Sequence, residues 1–287
     1  MTGLKIGGVP EHFNLPWRLA IEDGKFREFG LNLHWADMSG GTGQMIRGLE
    51  TGSLDIAVLL TEGITKAILQ GLDATIVQVY VTSPLHWGIH VPYHSEIHKV
   101  DQLEGRTFAI SREGSGSHLM AYVKAAQEGW DIDELDFNVV GDIYGGLWAL
   151  ENDEAQAFLW EKYTTFPYTE QKKCRYIDEV VTPWPCFVIA VRNEIYNQHP
   201  DLIKKMCLTV NQKALEMQDD PNIIDVISWR YNLRSGQVEN WLNETDWNYN
   251  AIEYPLAFQK AVSYLKKIGL LSEKETEDWR TKLFPKP

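Results

Sequence analysis

The chain is poor in every feature that would tie it to a membrane, to nucleic acid or to a disulfide scaffold. It carries three cysteines in 287 residues, Cys174, Cys186 and Cys207, scattered and without CxxC spacing. That pattern fits reduced thiols and excludes a disulfide framework or a thiolate zinc site. No apolar run approaches the 18 or more residues of a transmembrane helix. Twenty-seven basic residues face 40 acidic ones, a net charge of −13, with no lysine or arginine stripe to track a phosphate backbone. Nucleic acid is therefore excluded as a partner, and so is membrane insertion. Met1 to Ile6 enters strand-like sequence without a basic n-region or long apolar core, so the expected compartment is cytoplasmic, or periplasmic if a leader has been removed. Nucleophile elbows of the Gly-x-Ser-x-Gly type, Walker loops and HExxH are missing, and no cofactor is expected.

What the chain does have is apolar content, 44% hydrophobic, in short segments broken by glycine. Leu4–Val9 reads as a strand, Leu15–Phe29 as a helix stopped by Gly30, and Leu31–Trp35 as a second strand. Ser39-Gly40-Gly41-Thr42-Gly43 then leads into a helix for which Thr42 suits the N-cap. Asp55–Leu60 is a buried-type strand, Thr61–Leu69 a helix and Ala74–Thr82 another strand. Strands alternating with helices predict βαβ units and a mostly parallel sheet with both faces covered.

A second set of units begins at Trp87-Gly88-Ile89-His90-Val91. Thr107–Ile110 leads into Gly114-Ser115-Gly116-Ser117-His118 and a helix to about Glu128. Asp136–Val140, Ile143–Glu151 and Ala157–Leu159 follow as strand, helix and strand, with Trp160–Pro167 at the carboxyl end of the last. Arg175–Val181 and Phe187–Val191 are two further strands. Beyond Asn193 the pattern is helical: Asn193–Gln198, Pro200–Gln218, Pro221–Tyr231, Ser235–Asn243, Tyr254–Ile268 and Ser272–Leu283.

Ligands of open α/β sheets lie outside the carboxyl ends of the strands, which selects Pro10–Asn14, Ser39–Gly43, Leu60–Gly63 and Ser83–Trp87. The glycines and hydroxyls before the two helices would offer backbone N–H groups and the positive helix end to an anion or carbonyl. Trp160, Trp184, Trp87, Phe13 and Phe166 are candidate walls for a planar ring. Glu62 and Glu161 could accept hydrogen bonds from an amino or amidine group, with helix capping or a surface role as the plain alternative. His86, His90, His94 and His98 recur every four residues. In a strand broken by Pro84 and Pro92 they would not converge on a metal, and no metal site is expected.

The opening strand with Gly8-Val9-Pro10-Glu11-His12, the run Lys25-Phe26-Arg27-Glu28-Phe29-Gly30-Leu31, the segment Gly43–Ile56 and Gly114–His118 together resemble the type II periplasmic-binding-protein superfamily. The likeness is to its sulfonate, nitrate and thiamine-pyrimidine branch, and within that to a cytosolic subgroup carrying Ala157-Phe158-Leu159-Trp160-Glu161-Lys162. The resemblance implies a two-lobed α/β clamshell, with 1–86 and 188–287 forming lobe one and 87–187 inserted as lobe two. It implies hinge crossings near Leu85–Gly88 and Cys186–Ile189. The expected ligand residues are Glu11, His12, Phe13, Ser39, Gly40, Gly41, Thr42, Thr61, Glu62 and His86 from one lobe, and Gly114, Ser115, Gly116, Ser117, His118, Trp160, Glu161 and Trp184 from the other. The implied function is binding of a polar or anionic planar solute such as a pyrimidine-like thiamine precursor. The alternatives are the receptor of an ABC importer, whose partner would be a permease, an enzyme of pyrimidine metabolism, and a dimeric sensor domain. A fungal synthase of this superfamily uses a cysteine-rich iron motif, which this sequence lacks, so its chemistry does not carry over.

Overall fold

A computed structural model describes residues 1–247 and 255–285, and divides the chain into two compact units. Unit 1 is Met1–Pro84 with Pro183–Pro287, and unit 2 is Leu85–Thr182. The return crossing thus lies at Thr182, ahead of residue 187, and Trp184 and Cys186 stand in unit 1.

Unit 1 begins with β1 (Thr2–Gly8), α1 (Leu15–Glu22), β2 (Leu31–Asp37), α2 (Gly41–Thr51), β3 (Ile56–Leu60), α3 (Thr61–Leu69) and β4 (Ala74–Val81). Unit 2 holds β5 (His86–Pro92), β6 (Thr107–Ile110), α4 (Gly116–Glu128), β7 (Asp136–Val139), α5 (Ile143–Glu151), β8 (Ala157–Glu161), α6 (Lys162–Glu170) and β9 (Cys174–Val181). The chain returns to unit 1 with β10 (Phe187–Arg192). It ends in α7 (Asn193–Gln198), α8 (Pro200–Gln218), α9 (Ile223–Tyr231), α10 (Ser235–Glu244), α11 (Pro255–Lys267), α12 (Glu273–Thr276) and α13 (Trp279–Leu283).

The sheet of unit 1 runs β2-β1-β3-β10-β4 and that of unit 2 runs β7-β6-β8-β5-β9. In each, one strand opposes the other four: β10 pairs antiparallel with β3 and β4, and β5 with β8 and β9. It is in both cases the strand entered directly after a crossing between units. The expected mostly parallel, helix-flanked sheets are therefore present, once in each unit. Every residue of β3 is buried, as a strand covered on both faces requires, and each large apolar side chain there adds about 1.5–3 kcal/mol by leaving water.

The C-terminal helices dress unit 1 instead of forming a bundle apart. α8 packs on α1, and α11 and α13 pack on α3. Arg230 in α9 grips Glu22 with both guanidinium nitrogens, at 2.8 and 2.6 Å, and Lys213 reaches Asp23 at 2.7 Å.

Several boundaries differ from the sequence reading. The first helix stops at Glu22, because Gly24 at φ +70° breaks it before a 3-10 turn at Arg27–Phe29. Ser272–Leu283 is two short helices, parted at Asp278 in the left-handed region. Trp160 lies in β8 and Phe166 in α6, so neither is a loop residue. The proposed helix start at Tyr254 lies outside the described residues. The three cysteines are buried and none is in a disulfide, and burial pushes the Cys174 and Cys207 thiols up to about 12. Among the described residues no helix is long and apolar enough to cross a membrane.

Candidate functional site

In unit 1 the carboxyl end of β1 passes through Glu11, half-buried, into a 3-10 turn, His12–Asn14. His12 is 2% exposed and sits among rings, 4.2 Å from Trp241, 5.1 Å from Phe13 and 5.8 Å from Tyr231 between centroids. Its Nε2 is buried without a hydrogen-bond partner, and burial lowers its pKa to about 3, so it is a neutral imidazole. The Phe13 carbonyl accepts from the Tyr80 hydroxyl at 2.9 Å and the Trp247 indole at 3.3 Å.

Ser39 is exposed in the next loop, followed by Gly40 and Gly41, the latter at φ +64°. The N-cap of α2 is Gly40, not Thr42. The Gly40 N–H, just ahead of α2, donates to Gln44 Oε1 at 2.9 Å. Thr42, the second residue of α2, is buried and accepts from the Leu60 N–H at 3.3 Å. A Cβ on Gly63 would lie 2.4 Å from Thr42 Cγ2, so α2 and α3 meet there at glycine distance. Gly63→Ala is expected to cost about 1–3 kcal/mol by overpacking, and Thr42→Ser, which removes that methyl but keeps the hydroxyl, to restore most of it. Thermal melts of the single and double variants decide this.

At the start of α3, Thr61 donates from Oγ1 to the Pro185 carbonyl at 2.5 Å and from its N–H to the Cys186 carbonyl at 3.1 Å. Glu62, 1% exposed, accepts at Oε2 from Trp184 Nε1 at 2.8 Å, while Oε1 is buried with no partner in another residue. Burial raises its pKa to about 7, against the pull of its own backbone N–H and the Trp184 indole. One turn on, Thr65 is fully buried and its Oγ1 also lacks a partner. Trp184 is itself 3% exposed and meets the Tyr264 ring edge-on at 5.9 Å.

In unit 2 the loop after β6 is closed on itself. Ser111 N–H donates to Ser117 Oγ at 3.0 Å, Gly114 N–H to His118 Nδ1 at 2.8 Å, and His118 N–H to Ser115 Oγ at 3.3 Å. Gly116 opens α4 behind Ser115, the N-cap, and His118 packs edge-on against Phe137 at 4.4 Å. Glu161 closes β8 and caps α6, accepting from Tyr163 N–H at 3.1 Å and from Thr164 N–H and Oγ1 at 2.7 Å each. Burial raises its pKa, and the Thr164 hydrogen bonds oppose the rise. Trp160 stands opposite Gly88, which in turn stands opposite Glu179, so the three form one row across β8, β5 and β9. On that row's face His86 meets Glu179 at 3.1 Å through Nδ1, Lys162 reaches the same carboxylate at 3.1 Å, and the Tyr176 hydroxyl donates at 3.2 Å.

The structure thus gathers Thr61, Glu62 and Trp184 around one helix end of unit 1, and Ser115, Ser117 and His118 around one of unit 2. Glu161 is committed to α6, and Trp87 is buried within β5. Lys162 and Glu179 went unread in the sequence; Lys162 stood in the quoted Trp160-Glu161-Lys162 run, but the pairing with Glu179 needs the β5–β9 register. Of the four spaced histidines, His90 is buried between the Phe158 carbonyl at 3.2 Å and the Thr165 hydroxyl at 2.8 Å.

Two units, each a βα-wound sheet with one reversed strand and a glycine-serine or glycine-threonine loop at its strand ends, define the periplasmic-binding-protein fold. A family model described as Ca3427-like PBP matches residues 87–180. The CA3427 gene product of Candida albicans, a protein exhibiting the generic periplasmic binding protein structural fold, is 25% identical. It covers 100% of this chain and 97% of its own, at a TM-score of 0.91. The alkanesulfonate-binding protein SsuA of Xanthomonas axonopodis pv. citri, bound to MOPS, is 17% identical over 96% of both chains, with a TM-score of 0.81. The periplasmic nitrate-binding protein NrtA of Synechocystis PCC 6803 is 14% identical over 98% of this chain and 85% of its own, with a TM-score of 0.77. A search of curated protein sequences finds no match. The chain has the periplasmic-binding-protein fold, which it shares with the alkanesulfonate- and nitrate-binding proteins.

Proposed function

We propose that the protein is a cytoplasmic solute-binding protein whose two units close on a small polar ligand with a planar ring, of the size of a pyrimidine-like thiamine precursor. The reading is supported chiefly by the doubled strand, small-residue loop and helix at Ser39–Thr42 and Gly114–His118, set on a fold shared with solute-binding proteins. Ser39, Thr61, Glu62 and Trp184 would contact ligand from unit 1, backed by Glu11, His12 and Phe13, and Ser115, His118, Trp160 and His86 from unit 2. Hinge closure would couple binding to a change of shape. The alternative is the receptor of an ABC importer for sulfonate- or nitrate-type anions, in keeping with the alkanesulfonate- and nitrate-binding proteins among the structural neighbours.

A thermal-shift screen across pyrimidines, purines, sulfonates, nitrate and carboxylates tests the reading, since a ligand bound only by the folded form raises Tm. Ser39→Ala with Trp160→Ala is expected to weaken the best hit by about tenfold or more, one contact being lost from each unit. Unchanged affinity in that pair would overturn the site assignment.

A further inference from the structure

Three helix ends at the strand-end loops of unit 2 are already supplied with acceptors of their own. Asp142 caps α5, taking the Tyr144 and Gly145 N–H groups at 3.0 Å each. Glu161 caps α6 in the same way, the Gly40 N–H just ahead of α2 is taken by Gln44, and the α4 loop gives N–H groups to Ser117 and His118. An anion held at a helix end needs these N–H groups and the positive end of the dipole. Here carboxylates occupy two of those ends, Glu62 stands at the start of α3, and the whole chain carries −13. A sulfonate or nitrate brought to them would meet like charge in place of donors.

At the start of α3 two oxygens remain unsatisfied. Glu62 Oε1, in a residue 1% exposed, has no partner in another residue, and Thr65 Oγ1, at 0%, has none. They lie three residues apart in α3, so they share a helix face, and the Trp184 indole is tied to the same Glu62 carboxyl at 2.8 Å. Buried polar atoms are almost always paired, so two orphan oxygens on one helix face mark the place of a partner supplied from outside the chain, and the carboxylate oxygen asks for a donor.

We propose that Glu62 and Thr65, beside Trp184, bind an N–H donor group of neutral or positive charge, an amino or amidinium group on a flat ring, and that the protein discriminates against sulfonate, nitrate and phosphate. The proposal rests on the small-molecule reading above and reverses the charge that the fold's neighbours suggest.

Calorimetric titration with benzamidinium and 4-aminopyrimidine, set against methanesulfonate and nitrate, tests it on the wild-type chain and on Glu62→Gln and Thr65→Val. The donor probes are expected to bind and the anions not. Glu62→Gln is expected to lose about tenfold or more of benzamidinium affinity, and Thr65→Val severalfold, with the far-ultraviolet circular dichroism of both unchanged. Binding of the anions alone would overturn the charge assignment and leave the solute-binding reading standing. Equal benzamidinium affinity in wild type and Glu62→Gln would show that an ordered water is the partner of these oxygens. If no probe of either class binds, the small-molecule reading fails and this inference with it.

Discussion

Between pH 6.5 and about 3 the protein is expected to lose about 5 kcal/mol of stability through one side chain, His12. In the folded chain its imidazole is packed between Phe13, Tyr231 and Trp241 with Nε2 unpartnered, so protonation there would leave a buried charge without a counter-ion. The unfolded chain takes the proton near 6.5, the folded chain only near 3. Below 6.5 the unfolded state therefore binds more protons, and stability, complete above that pH, drains away as the pH falls toward 3. His90 acts in the same sense in unit 2, where burial lowers its pKa to about 4 against the hydrogen bonds to backbone carbonyls, and adds about 3 kcal/mol. Urea midpoints followed by tryptophan fluorescence across this range measure the slope. In His12→Leu the slope is expected to flatten whatever the variant's stability at neutral pH. An acid limb as steep as the wild type's would show that His12 is not the group responsible.

The second large effect has the opposite sign. Glu62→Gln is expected to stabilise the ligand-free protein by about 3 kcal/mol above neutral pH and by nothing at pH 4. Burial raises the Glu62 carboxyl from 4.5 to about 7, so folding favours its protonated form. Stability from this group is complete below 4.5 and is lost as the pH rises through 7. Glutamine cannot ionise, and its amide oxygen can still accept from Trp184 Nε1, so the variant escapes the loss. Parallel denaturation curves at pH 4 and pH 8 read the difference, and a variant no more stable than wild type at pH 8 would exclude a costly buried carboxyl. A substitution that stabilises the empty protein and weakens binding of a donor-bearing ligand would tie the instability to function.

Much of this was legible in the chain itself. Helices at Thr61–Leu69, Ile143–Glu151, Asn193–Gln198 and Pro200–Gln218 stand where the apolar period and caps place them, because local periodicity fixes both type and extent. The strand-end loops were legible too, since glycine and hydroxyl residues before an apolar helix have few other uses. Thr42 shows the limit. Its sequence context suits an N-cap, yet Gly41 takes a left-handed conformation and starts the helix earlier, and the Thr42 hydroxyl turns to the Leu60 N–H, a partner 18 residues away.

Sequence by itself determined the class of fold, the two sets of βα units, and which residue types stand at the strand ends, because each follows from spacing along the chain. Tertiary structure decided what those residues have left to offer. Only packing shows that the α4 loop spends its hydroxyls and imidazole on its own backbone, that Glu161 closes α6, and that Trp184 folds back onto Glu62 across 122 residues. The charge of the ligand follows from which donors and acceptors remain unpaired, and pairing is a property of three dimensions.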